Sequence, residues 1–174
     1  NNRHDQVSAV VNAGVDLGEK TRLEASENGF YRRQGIPGIG SFQSETASLI
    51  TFRNILSMRL KQKELALEGL DAEVGISASL QEQRFKDKKG EIGVGNQDNQ
   101  DRTVSLSGNV LFRFIPADWT VLHLNTGGGW ELFRSRNLLA DDPEGEPQRR
   151  VRLFSALEDE LHLLSDTLII SSSI

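Results

Sequence analysis

Hydrophobic and polar residues alternate along much of this chain, most clearly between Arg102 and Arg136. Successive side chains of a β-strand point to opposite faces, so this alternation predicts a sheet with one apolar and one polar face. The sequence at 115–118, Ile-Pro-Ala-Asp, predicts a tight turn between two long strands, because proline presets one dihedral and aspartate can bond the backbone after it. The predicted apolar face contains Val74, Ile76, Leu80, Val104, Leu106, Val110, Phe112, Leu122 and Leu124, and the polar face contains Ser77, Ser79, Ser105, Ser107, Asn109, His123 and Asn125.

The same alternation elsewhere predicts an all-β fold, an antiparallel up-and-down meander of about eight long strands. The predicted strands begin near Val7, Thr21, Ala47, Ala72, Arg102, Trp119, Arg150 and Thr167. Short connections are predicted near Gly18, between Gln62 and Gly69, at Pro116 and at Ser165-Asp166, and long polar loops at 32–46, 84–101 and 137–149. Residues 62–69 fit either one helical turn or the start of the next strand. Alternating short turns and long loops are typical of a meander whose long loops all leave one rim.

The length of the predicted strands favours a membrane protein. Globular strands usually have about 5–6 residues, whereas a tilted strand that crosses a bilayer needs about 9–11. We therefore predict that residues 1–174 are a partial domain of a transmembrane β-barrel, with the apolar face towards lipid and the polar face towards the lumen.

Composition narrows the classes of function. The net charge of −5 and the pI of about 5.3 argue against a general nucleic-acid binder. The absence of cysteine excludes disulfide scaffolds and cysteine-ligated metal sites. The chain begins without methionine, shows no signal-peptide pattern and ends within a strand-like run, so we expect a fragment of a longer protein.

Two stretches resemble the TonB-dependent outer-membrane receptors. Residues 27–38, ENGFYRRQGIPG, look like a strand that runs into an extracellular loop of that family. Residues 90–103 look like a later loop that re-enters the barrel, with GEIGVG followed by Asp98, Asp101, Arg102 and Thr103. The resemblance implies a barrel of many more strands, an N-terminal plug domain and a TonB-contacting box, and neither plug nor box is visible in this sequence.

The family resemblance also implies a function and its partners. It implies TonB-dependent uptake of a scarce nutrient, such as a ferric siderophore, across the cell outer membrane of a Gram-negative bacterium. The implied partners are outer-membrane lipid, the rest of the barrel, a plug domain, TonB and a small-molecule ligand, with no nucleic acid. The alternative is a non-transport β-sheet binding module, either a soluble sandwich or a small outer-membrane adhesin. An enzyme ranks third, since no nucleophile–base or metal constellation stands out, and we expect no cofactor.

Candidate site residues are few. Arg32, Arg33 and Arg136 stand where predicted strands meet the outer loops and are placed to attract an anionic ligand such as a ferric-siderophore complex, with ordinary rim charge as the alternative. Two loop clusters contain oxygen ligands of the kind that hard cations take, but they lack an ordered spacing, so we interpret them as solvated loops and predict no metal site. A third group shares one predicted strand face, where lumen-lining side chains are favoured over a catalytic acid–base cluster. The three groups are Asp141, Asp142, Glu144 and Glu146; Asn96, Asp98 and Asp101; and Glu158, Glu160 and His162.

Overall fold

The computed structural model of the chain describes residues 3–38, 44–92, 95–142, 144–164 and 167–174. Within these ranges the secondary structure consists of eight β-strands and no helix. The strands are β1 (His4–Asp16), β2 (Thr21–Gly35), β3 (Ser48–Gln62), β4 (Leu70–Asp87), β5 (Gln97–Ala117), β6 (Thr120–Asn137), β7 (Gln148–Leu163) and β8 (Leu168–Ser173). The described residues contain no helix that is long and apolar enough to span a membrane.

All eight strands belong to one sheet whose spatial order is the order of the chain. Every neighbouring pair is antiparallel. The predicted all-β, up-and-down meander of eight strands is therefore confirmed. β1 and β8 form the two edges and do not pair with each other over the described residues, so the sheet is open. The strands β1 to β7 are long, from 13 residues in β1 to 21 in β5, whereas β8 has 6.

The hairpin between β5 and β6 turns later than predicted. The turn lies at Asp118 and Trp119, and residues 115–117 continue β5. The register shifts between Phe114 and Ala117. Proline has no N–H for the ladder, so it is accommodated at an irregularity of the strand rather than in the turn itself.

Three other boundaries also differ from the predictions. β2 continues to Gly35, and β4 and β5 extend through much of the predicted loop 84–101, which leaves a connection of 88–96. At the ends of β4 and β5 the charged residues Arg84 and Asp98 pair across the ladder, so these two strands continue beyond the apolar pattern. Residues 63–69 form bends and a turn. The predicted turn at Ser165-Asp166, and Gly93 and Val94 of the second family-like stretch, lie outside the described residues.

The register collects the apolar residues of successive strands on one side of the sheet, because directly opposed residues share a face. Ile76 of β4, for example, lies opposite Met58 of β3 and Gly108 of β5. The predicted grouping of residues by face is confirmed. We call this side the apolar face, and it includes Val7, Val11, Val15, Leu23, Tyr31, Phe52, Leu56, Met58, Leu60, Val74, Ile76, Leu80, Val104, Leu106, Val110, Phe112, Leu122, Leu124, Trp130, Leu132, Val151, Leu153 and Leu157.

The apolar face is not covered by any other part of the described chain. Ile76 is 52% exposed, Leu106 56% and Leu153 84%. The buried hydrophobic side chains among the described residues are small and few: Ala47, Ala72 and Val121. Soluble domains bury such a face against a second layer of secondary structure. A contiguous exposed apolar surface of this kind marks a site of contact with a membrane or another protein.

Candidate functional site

On the opposite side of the sheet, the polar face, strands β1 to β5 line an open cavity of about 690 Å³. Ser26, Ser57, Ser77 and Ser107 lie opposite one another in a row across β2 to β5. The hydroxyl oxygens of Ser77 and Ser107 are 2.8 Å apart, within hydrogen-bond distance. Short polar side chains therefore form the floor of this concave surface, which can donate and accept hydrogen bonds.

Charged residues tie the strands together on the short-turn side of the cavity. Arg22 contacts Glu24 at 3.0 Å and Asp16 at 2.9 Å. Lys61 reaches Glu24 from β3 at 3.0 Å. These charges neutralise one another, so the cavity has no strong excess of either sign on this side.

The connections sort by length onto the two rims of the sheet. The connections 36–47, 88–96 and 138–147 all follow even-numbered strands, which run in the same direction, and so leave one rim, the long-loop rim. The opposite rim has the connections 17–20, 63–69, 118–119 and 164–167. The predicted asymmetry of the loops is confirmed.

One carboxylate joins two of the long connections. Glu91 Oε2 accepts hydrogen bonds from the Ser44 hydroxyl at 2.7 Å and from the backbone N–H groups of residues 45–47 at 2.9–3.3 Å. The donors, of which the Thr46 N–H has the largest effect, lower the pKa of Glu91 to about 2. The buried Asp87 accepts hydrogen bonds from the N–H groups of Glu91 and Ile92, each at 2.8 Å. We call the contact around Glu91 the loop clasp.

A buried ion pair supports the same rim. Asp98 is 1% exposed, and its two oxygens accept hydrogen bonds from Arg84 at 2.8 and 2.9 Å. Lys88 lies 3.6 Å from the same carboxylate. With these contacts, Asp98 stabilises the long-loop rim. Sequence reasoning missed the pair and the loop clasp, because their partners are separated in the sequence and meet only in the folded chain.

The three candidate arginines do not form one cluster in this sheet. Arg32 lies on the polar face, 5.8 Å from the centroid of the Phe30 ring, and Arg33 lies on the apolar face. Arg136 of β6 donates a hydrogen bond to Glu144 at 2.6 Å. All three lie near the long-loop rim, but β2 and β6 are four strand spacings apart, roughly 19 Å. A ligand that contacts both the arginines of β2 and Arg136 of β6 must therefore be large or bridge the curved sheet.

The remaining titratable candidates are dispersed. The predicted shared face of Glu158, Glu160 and His162 is confirmed by the register, and His162 lies 3.5 Å from Glu160. Within the described ranges, no group of three or more acidic or histidine side chains is arranged to hold a metal ion. These residues therefore offer polar contacts on the concave side rather than a compact reactive centre.

Fold and faces together define the class of this chain: an open antiparallel β-meander with an exposed apolar face and a concave polar face. No protein-family model matches the chain, and no curated protein shows significant sequence similarity to it.

Proposed function

We propose that the chain is a segment of the barrel wall of a TonB-dependent receptor in the cell outer membrane. The receptor takes up a scarce nutrient, such as a ferric siderophore, with energy from the TonB system. The observation that carries this proposal is the continuous, exposed apolar face opposite a concave polar face. Hydrocarbon accommodates the apolar face but cannot solvate the polar face, whereas a hydrated lumen solvates the polar face.

The dimensions of the sheet support the same proposal. The strands β1 to β7 have 13 to 21 residues, more than the 9–11 or so that a tilted strand needs to cross a bilayer. All three long connections leave one rim, as the extracellular loops of outer-membrane barrels do. A soluble sandwich, the main alternative, needs a second sheet to cover the apolar face.

Each surface of the sheet has a partner in this proposal. Lipid contacts the apolar face, the open edges β1 and β8 pair with the rest of the barrel, and a plug domain contacts the polar face and TonB. The small-molecule ligand approaches from the long-loop rim, near Arg32, Arg33 and Arg136, and of these Arg32 lies on the polar face. No step requires a catalytic residue or a cofactor, and no nucleic acid is involved.

Uptake measurements on the complete gene test the proposal. We expect a strain without the gene to lose uptake of one iron-siderophore complex and to regain it when the gene is restored. Uptake should also stop in an otherwise identical strain without TonB, because the transport step needs that energy source. Uptake that is unchanged for every nutrient tested, together with a complete gene that encodes no plug domain, would favour the adhesin or binding-module alternative.

A further inference from the structure

Three arginines lie side by side where the apolar face ends towards the long-loop rim. Arg102 of β5 and Arg134 of β6 are direct partners in the register. Arg149 of β7 lies opposite Leu132, one diagonal step from Arg134. Directly opposed side chains have Cβ atoms about 5 Å apart, and diagonal neighbours lie about 7–8 Å apart. We call these three residues the arginine cluster.

The arginine cluster is only partly balanced by a neighbouring carboxylate, since Glu82 alone of the described carboxylates lies directly opposite one of its three arginines. All three side chains are exposed, and none of them forms a salt bridge within the ranges that the structure describes. Glu82, which lies opposite Arg102, instead accepts a hydrogen bond from Gln100 at 2.7 Å. Asp98, on the same face, is held by Arg84. Like charges directly opposite one another destabilise a sheet, so this arrangement favours an external anion.

The position of the cluster indicates what kind of anion it meets. Val104 and Leu132 are partners in the register, and each lies two residues from an arginine of the cluster along its own strand. Arginine side chains at such a border lay their apolar stems along the hydrophobic surface and hold the guanidinium in the polar layer. A planar guanidinium binds phosphate through two parallel hydrogen bonds.

We propose that the arginine cluster binds the phosphate of an anionic lipid headgroup in the membrane leaflet on the long-loop side. The inference rests on the proposed function, because the apolar face must contact lipid for the cluster to lie at headgroup level. A lipid is favoured over free phosphate because the apolar surface continues directly from the cluster. One molecule can therefore place its phosphate on the arginines and its acyl chains on Val104 and Leu132.

Vesicle binding of the 174-residue chain tests this proposal. The vesicles contain phosphatidylcholine alone, or phosphatidylcholine with a minor fraction of phosphatidic acid, whose terminal phosphate is accessible. We expect tighter binding when phosphatidic acid is present. Because each basic residue near an anionic surface contributes about a factor of five, the Arg102→Gln/Arg134→Gln variant should lose roughly 25-fold of this gain. The matched control, Arg53→Gln/Arg152→Gln, removes two exposed arginines from the polar face and should keep the gain.

The outcomes separate this inference from the proposed function. Equal binding to both kinds of vesicle, or an equal loss in the control variant, overturns the headgroup site and leaves the membrane-facing sheet intact. Failure to bind either kind of vesicle overturns both. A low concentration of inorganic phosphate is added to the vesicles as a competitor. If the preference for phosphatidic acid is then lost, the arginine cluster binds free phosphate, and the proposal of a lipid headgroup is overturned. Matching far-UV circular dichroism spectra of the variants in detergent exclude misfolding as the cause.

Discussion

Replacement of Leu106 by arginine is expected to weaken insertion of the sheet into a bilayer. Leu106 lies on the apolar face, 56% exposed, four residues beyond Arg102 on β5. In the proposed membrane orientation, at about 3.4 Å per residue and a tilt of about 40°, Leu106 would lie roughly 10 Å below the arginine cluster, near the middle of a hydrophobic band about 25 Å tall. An arginine at that depth costs about 3 kcal/mol, or roughly 150-fold in the insertion equilibrium.

The adjacent residue provides the matched control. Ser107 lies on the polar face, where its hydroxyl contacts that of Ser77 at 2.8 Å. Ser107→Arg loses this hydrogen bond, worth about 1 kcal/mol, but keeps its charge in a hydrated space. Urea titration of folding into phosphatidylcholine vesicles, followed by circular dichroism, measures both variants. Equal midpoints would refute the lipid contact of this face, because an exposed side chain in water tolerates substitution within about 0.5 kcal/mol.

Three further predictions concern the rim and the packing of the sheet. Asp98→Asn should lower the free energy of unfolding by about 2 kcal/mol, because Arg84 loses a charged bidentate partner, and chemical denaturation in detergent measures this loss. Glu91 has a pKa of about 2 in the clasp and a higher value in the unfolded chain, so its stabilising effect should be present above about pH 4.5 and disappear as the pH falls towards 2. Hydrogen-exchange protection factors of the amides of residues 45–47, which are corrected for the intrinsic pH dependence of exchange, should fall over this pH range in the native chain but not in Glu91→Gln. Gly127→Ala should destabilise the sheet by about 1–3 kcal/mol, because the added Cβ would collide with the carbonyl oxygen of Gly108 and with the Phe154 ring. Gly29→Ala is the control, since a Cβ there meets nothing within 4 Å. Similar denaturation midpoints for the two variants would contradict the close packing at Gly127.

The central strands could be predicted because their pattern is local. Val104, Leu106 and Val110 alternate with polar residues over a dozen positions, and the partner strands carry the same alternation, so both the strand and the face follow from the sequence. The extensions of β4 and β5 could not be predicted this way. Their ends consist of charged residues such as Arg84 and Asp98, which join the sheet through pairing across strands rather than through burial of an apolar face.

The rim shows a second limit of sequence reasoning. The donors to Glu91 are mostly backbone N–H groups, which any residue other than proline supplies, so no sequence motif marks them. The position of Arg32 and Arg136 near the long-loop rim followed from the order of strands and loops. Their separation across three intervening strands depends on the order of strands in the sheet, which local spacing does not contain.

The identity of spatial order and chain order makes the sheet modular. Each strand pairs only with its neighbours in the chain, so every pairing step closes a loop made of two strands and one connection. The entropy lost in each closure therefore stays nearly constant as the sheet grows. A whole hairpin can be inserted or deleted without altering the registers of the other pairs. Since the diameter of a closed barrel increases roughly linearly with strand number, adding or removing whole hairpins would change the bore of any barrel built from such a sheet in defined increments.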